Sequence, residues 1–271
     1  MKEGMICMAD KASVRNKTTM YGNKVAVYSF FSCAGFLDLG FEMANGNPYE
    51  LRMANEIDPN FRECYRYARG HLKQKIDVPP DFVFSNSIVE FVKWGGRPRK
   101  GCEEVYRRFF GLLEEDRRNR RVIGFIGGPP CPDFSVAGKN AGKNGEVGPL
   151  SSKYVRLICQ EEPHFFLFEN VKGLVSSGKH SSYFKSLCTK LSEKYYITHE
   201  VVNALWYGVP QFRERLIVVG IRRDLLPDFT HGRLRTAMRI RGCDIFCRCI
   251  YVSIILVSSR RSELHIADFR G

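Results

Sequence analysis

The chain has 271 residues, of which 44% are hydrophobic, enough for one large domain with a real core or for a domain with an appendage. Its 42 Lys and Arg against 29 Asp and Glu give a formal charge of +13, a field that attracts polyanions, nucleic acid first among them. Ten scattered cysteines without an even framework or secretory signal read as reduced thiols of a cytosol, and the longest apolar run, 250–257, is too short to span a bilayer.

Residues 1–23 are polar and aperiodic and read as a loose leader. A short hydrophobic strand over 25–31 runs into Ser-Cys-Ala-Gly-Phe, and 36–44 then repeats apolar residues at helical spacing, a strand–turn–helix entry. In α/β proteins such a first turn receives the polar end of a ligand, although Gly35 alone is equally explained by steric need. The second strand, 49–56, ends in Asn-Glu-Ile-Asp. Glu56 there is placed to accept hydrogen bonds from a ribose diol, whereas Asp58 before Pro59 reads as the cap of a helix reaching about residue 69. A short strand at 82–84 leads into Ser85-Asn86-Ser87-Ile88, and 97–121 reads as a basic loop and a solvated helix, a surface with some prospect of phosphate contact.

The stretch 124–138 carries the strongest local signal. An apolar run (Val122, Ile123, Phe125, Ile126) breaks at glycines and two prolines, which holds Cys131 in a rigid turn at a strand end. Such a cysteine is either a nucleophile or an inert thiol. The segment 138–148 has loop composition and serves either to close over a substrate or merely to connect. A helix at 154–159 precedes the buried strand 165–168, which ends in Glu169-Asn170-Val171, so that its acid would share a crevice with Cys131. After an amphipathic helix at 181–193, strands at 197–205 and 216–221 flank Tyr-Gly-Val-Pro-Gln-Phe-Arg-Glu-Arg, in which Arg213 and Arg215 are expected on opposite faces, one of them reaching the pocket. Strands alternating with helices predict a doubly wound, mainly parallel sheet, and the helix-free connection of the last two strands predicts a terminal antiparallel hairpin.

With Pro-Pro-Cys, Glu-Asn-Val and Gln-Phe-Arg-Glu-Arg in this order, residues 24–225 resemble the cytosine-C5 DNA methyltransferase family. The resemblance implies a Rossmann-like S-adenosylmethionine-dependent fold, Cys131 as nucleophile, Glu169 as the acid near the ring nitrogen, and Arg215 (with Arg213) against the target base. Phe31, Ser32, Gly35, Glu56, Ile57, Ser87 and Pro129 would line the S-adenosylmethionine site, with Pro130 helping to shape the catalytic turn. It also implies DNA as partner, a bacterial or phage-like restriction–modification setting, and a cytoplasmic, nucleoid-associated place. Several positions depart from the family pattern: Cys33 and Phe36 stand where glycines are expected, Pro132 follows the nucleophile instead of glutamine, and no acid is found at Asn86-Ser87. Residues 226–271 are expected to be an atypical tail, since 227–271 hold eight Arg and no Lys and show none of the recognition domain or closing motifs of the family. Frameshift, truncation or fusion would account for that, and a second polypeptide could supply recognition. Cys243, Cys247 and Cys249 lack a second ligand pair, so no zinc site is expected. Two alternatives stand beside the enzyme: an inactive remnant or DNA-binding subunit of the same fold, and an RNA cytosine-C5 methyltransferase.

Overall fold

A computed structural model describes residues 24–44, 47–71, 79, 81–130, 150–176 and 178–225, the side chains of 178 and 179 excepted. Cys131, the 138–148 segment, the leader and the tail lie outside the described residues.

Seven strands form one sheet. Strands β1 (Val25–Phe30), β2 (Tyr49–Asn55) and β3 (Val83–Phe84) step outward in one direction; β6 (Ile123–Gly127) and β7 (Phe165–Val171) step outward in the other. All five run parallel, with β6 paired to β1 in the register Phe30↔Gly127. Beyond β7 come β9 (Glu214–Arg222) and then β8 (Tyr195–Asn203) at the edge, antiparallel to each other, with β9 also antiparallel to β7. The doubly wound, mainly parallel sheet and its terminal antiparallel pair are thus as the sequence predicts. A 3-10 turn, Ala204–Tyr207, interrupts the connection between the last two strands. A separate two-stranded ladder, β4 (Lys93–Trp94) with β5 (Arg97–Pro98), has no counterpart in the sequence reading, because two-residue strands leave no periodicity to detect.

Period-two alternation along β1 sends Ala26, Tyr28 and Phe30 to one face and Val27 to the other. On the first face α3 (Glu103–Arg118), α4 (Leu150–Glu161) and α6 (Gly178–Ser192) cover an aromatic core in which Phe30 lies 5.2 Å from Phe125 and 5.6 Å from Tyr154 between ring centres. On the second, α1 (Phe36–Glu42) places Phe41 against Val27, Leu51 and Ile126, and α2 (Pro59–Gly70) seats Tyr65 on Ala54 and Val83. The expectation of α3 as a solvated surface helix needs correction. Tyr106, Phe109, Leu113 and Asp116 are buried along one side, and Asp116 accepts hydrogen bonds from Tyr28 Oη (2.5 Å) and Arg52 Nε (2.9 Å). The charge-rich composition masked an apolar stripe at helical spacing. A four-residue helix, α5 (Gly173–Ser176), follows β7.

A candidate active site at the carboxyl ends of the strands

The strand order reverses between β1 and β6, and in open α/β sheets ligands enter outside the carboxyl ends of strands at such a point. A pocket of about 310 Å³ lies there, lined by residues that follow β1 (Phe31, Cys33), β2 (Glu56, Ile57), β3 (Asn86, Ser87) and β6 (Gly128, Pro130), with Leu150 at the start of α4.

The first turn is held from below. The Ser32 N–H donates to the Asn55 carbonyl (2.9 Å) and the Gly35 N–H to the Ser32 carbonyl (2.8 Å). The Cys33 N–H donates to Glu56 Oε2 (2.9 Å), and the other oxygen of that carboxylate accepts from the Asp58 N–H (2.8 Å). Glu56 is buried at the pocket wall, with carboxylate acceptor capacity beyond those two bonds. Asp58 is the N-cap of α2, accepting from the Asn60 and Phe61 N–H groups, as its position before Pro59 predicts. Gly35 has φ 85°, and a Cβ there would stand 2.7 Å from the Tyr65 ring, so glycine is needed for backbone and for packing. Cys33, which occupies an expected glycine position, takes the left-handed conformation (φ 50°) without being one, and burial pushes its thiol up to about 11.

Of the residues the sequence nominates for the cofactor, Phe31, Glu56, Ile57 and Ser87 line the pocket. Ser32, Gly35 and Pro129 do not line it. Ser32 is buried against Ser29 (Oγ to Oγ 2.9 Å), Gly35 lies over Tyr65, and Pro129 is buried with its carbonyl accepting from Asn170 Nδ2 at 2.8 Å. Asn55, Asn86, Phe61 and Cys33 line the pocket without having been nominated. Their place directly after strands, or one turn into a helix, was the available signal.

Glu169 stands at the end of β7, beside the turn that leaves β6. A Cβ on Gly128 would meet Glu169 Oε2 at 2.8 Å, so the carboxylate rests directly against the backbone three positions before Cys131. Glu169 Oε1 pairs with Arg215 Nε at 2.9 Å. Burial holds the carboxyl above its ordinary range, opposed first by Arg215 and then by Arg213. Both arginines therefore act on the same acid, which corrects the expectation of opposite faces. Residues two apart in an extended chain share a face. Arg213 immediately precedes β9, and burial together with the Arg215 charge pulls it below the ordinary arginine value. Its Nε is buried with no hydrogen-bond partner among the described residues.

The lining of the pocket fits a nucleoside. A buried carboxylate at the end of β2 fits a ribose diol, and Phe31, Ile57 and Phe61 offer apolar contact to a base. Among the described residues no group of His, Cys, Asp and Glu could hold a metal ion.

The family described as C-5 cytosine-specific DNA methylase matches residues 114–240. The type II methyltransferase M.NmeDI of Neisseria meningitidis serogroup C is 46% identical over 200 residues, 73% of this chain and 44% of that protein. M.AquIA, a type II methyltransferase of Picosynechococcus, is 31% identical over 225 residues, 78% of this chain and 79% of its own length. A prophage-encoded E. coli protein, provisionally described as a DNA modification methyltransferase, superposes with a TM-score of 0.55 at 26% identity, over 77% of this chain and 50% of that one. The chain spans about half the length of several curated relatives it matches.

Proposed function

The chain belongs to the cytosine-C5 DNA methyltransferase family, and from that premise we propose that it transfers a methyl group from S-adenosylmethionine to C5 of a cytosine in DNA, in a type II restriction–modification setting. The observation that carries the reading is the Glu169 carboxylate, paired with Arg215 and resting against Gly128, three positions before Cys131 in the sequence. Residues 24–225 would form the catalytic domain, 1–23 a leader and 226–271 an appendage.

Cytosine C5 is a poor nucleophile until a group adds at C6. The Cys131 thiolate is that group: its sulfur forms a bond to C6, and the electron pair displaced from the C5–C6 bond moves into the ring toward N3 and O2. Glu169, whose carboxyl is held toward its protonated form by burial, donates to N3 as charge builds there. Arg215 fixes the carboxyl in place, and Arg213 adds positive charge beside it. Bound S-adenosylmethionine supplies an electrophilic methyl group to the activated C5. Phe31, Glu56, Ile57 and Ser87 would hold it, with Ser32, Gly35 and Pro129 acting from beneath through the backbone. Loss of the C5 proton to a solvent base then returns the electron pair to the ring and expels the Cys131 sulfur as thiolate. A stacked duplex hides C6, so the base would be flipped out of the helix, a demand that the net positive charge suits. No helix among the described residues is long and apolar enough to cross a membrane, and the proposed place of action is the cytoplasm.

Incubation with S-adenosylmethionine and mixed-sequence DNA containing 5-fluorocytosine tests the reading, because fluorine at C5 blocks the elimination step. A covalent protein–DNA adduct that disappears in Cys131→Ser is expected. No adduct with the wild-type chain would favour an inactive remnant or DNA-binding subunit, and an adduct formed on RNA in preference to DNA would favour the RNA enzyme.

A further inference from the structure

The β4–β5 hairpin and α4 bring together cations that neither the crevice nor the core employs. Lys153 Nζ lies 4.7 Å and Arg156 Cζ 4.2 Å from the centre of the Trp94 ring. Arg97 is the register partner of Trp94 across the hairpin. Lys190 of α6 is exposed, and its carbonyl lies 3.8 Å from Cys159 Sγ of α4. The hairpin is pinned to α4 at Lys93, whose N–H donates to Gln160 Oε1 (2.9 Å) and whose carbonyl accepts from Arg156 (2.9 Å) and Gln160 Nε2 (2.8 Å).

The charge of this cluster is unbalanced. Lys93 itself is neutralised by Glu161 at 3.2 Å, but among the described residues Arg97, Lys153, Arg156 and Lys190 have no carboxylate partner. Burial, then repulsion from Arg156 and Lys190, pulls Lys153 below the ordinary lysine range. Like charges gathered without an acid oppose folding and favour an anionic partner. Two of them are held over an indole, which orients them in advance and leaves Trp94 as a support for cations instead of a platform for bases.

The cluster also lies next to the crevice. Leu150, the first residue of α4, lines the pocket, and Lys153 follows about 4.5 Å further along the helix axis. Ile88 lines the pocket too and opens the 3-10 turn that leads into β4. A duplex held at the crevice would have the Lys153 end of this surface beside it.

We infer that Arg97, Lys153 and Arg156 around Trp94, with Lys190 from the neighbouring helix, form a contact surface for the phosphate backbone of double-stranded DNA on the flank of the crevice. The inference rests on the proposed DNA substrate and adds a sequence-independent site to it. The test is the triple variant Arg97→Gln, Lys153→Gln, Lys190→Gln, which leaves Arg156 and its bond to Lys93 intact. Affinity for a duplex oligonucleotide is measured by fluorescence anisotropy between about 50 and about 200 mM salt, where each lost phosphate contact flattens the log–log slope by about 0.9. A slope shallower by about 2 to 3, with S-adenosylmethionine affinity unchanged by calorimetry, is expected. An unchanged slope overturns the inference, as does a larger effect on RNA than on duplex DNA. A wild-type chain that binds S-adenosylmethionine but shows no salt-dependent DNA affinity overturns it as well. A slope change without any 5-fluorocytosine adduct sustains the surface and overturns the catalytic reading instead.

Discussion

One methyl group at Gly128 is expected to disconnect the candidate catalytic acid from its arginine. A Cβ there would stand 2.8 Å from Glu169 Oε2, so the carboxylate has to retreat by roughly 0.6 Å or more to reach ordinary van der Waals contact. Its other oxygen is committed to Arg215 Nε at 2.9 Å, and the retreat stretches or rotates that pair. A quarter of the Glu169 side chain is open to solvent, so the carboxylate has somewhere to go and the fold loses little. Misplacement of a catalytic group by about 1 Å costs on the order of 100-fold in rate. Gly128→Ala should therefore lower kcat by about 10- to 100-fold, the equivalent of about 1.4 to 2.7 kcal/mol in barrier height. The assay is incorporation of labelled methyl groups into mixed-sequence DNA at saturating S-adenosylmethionine, with thermal unfolding run alongside. Cofactor affinity is measured by calorimetry in the same variant, since Gly128 itself lines the pocket. Undiminished turnover in Gly128→Ala would refute the placement of Glu169 as the acid, and so would a loss explained wholly by unfolding at the assay temperature.

Arg215→Gln should raise the Glu169 pKa further, since burial lifts it and Arg215 is the foremost influence pulling it down. If the protonated carboxyl serves the ring nitrogen, the alkaline limb of the kcat–pH profile moves to higher pH even as the maximum rate falls by about tenfold or more; a limb that stays in place would count against that role. Asn170→Ala removes the 2.8 Å bond from Asn170 Nδ2 to the buried Pro129 carbonyl. An unsatisfied buried acceptor costs about 1 to 3 kcal/mol, so denaturant unfolding should show a loss in that range together with slower adduct formation at Cys131.

The sheet was legible because its strands are buried on both faces and read as apolar runs, as in Ile123–Gly127 and Phe165–Val171. What the sequence hid was the pairing order at the edge. The signal was faint: β8 carries Thr-His-Glu at its middle and lies at the edge, while β9 has a central Leu-Ile-Val-Val run and inserts beside β7. In the candidate site, residues at strand ends were readable by position: Glu56, Ile57 and Ser87 line the pocket where α/β topology puts ligands. Ser32, Gly35 and Pro129 fall in the same motifs, yet their side chains or backbone hold the turn from beneath, a distinction that needs the third dimension. The shared charge of Arg213 and Arg215 on Glu169 is visible only once β9 lies against β7.

The two ends of the crevice differ in how completely the described residues determine them. At the first turn, Phe31 (φ 56°) and Cys33 (φ 50°) both carry left-handed backbone, a strain of about 1 to 3 kcal/mol each that survives only where the surroundings over-determine it. They do so here. Glu56 accepts from the Cys33 N–H, Asn55 and Ser32 are cross-bonded through the backbone, and beneath the turn Ser29 (2.5 Å) and Tyr65 (2.8 Å) donate to the buried Asp38, with Arg69 tied to Tyr65 and Glu42. Burial pushes Asp38 up and Arg69 leads the groups pulling it down. At the catalytic end, Arg213 Nε is buried without a hydrogen-bond partner among the described residues, and its charge acts on an acid held by one ion pair. Unsatisfied buried polar atoms beside a candidate acid mark where a further group completes the site, whether the flipped base or another stretch of polypeptide. The first turn at the cofactor end is thus held by hydrogen bonds among residues 29–69, while the acid end keeps a buried polar atom open to a further group. On the proposed reading, that division would let nucleoside binding persist in variants that lose methyl transfer.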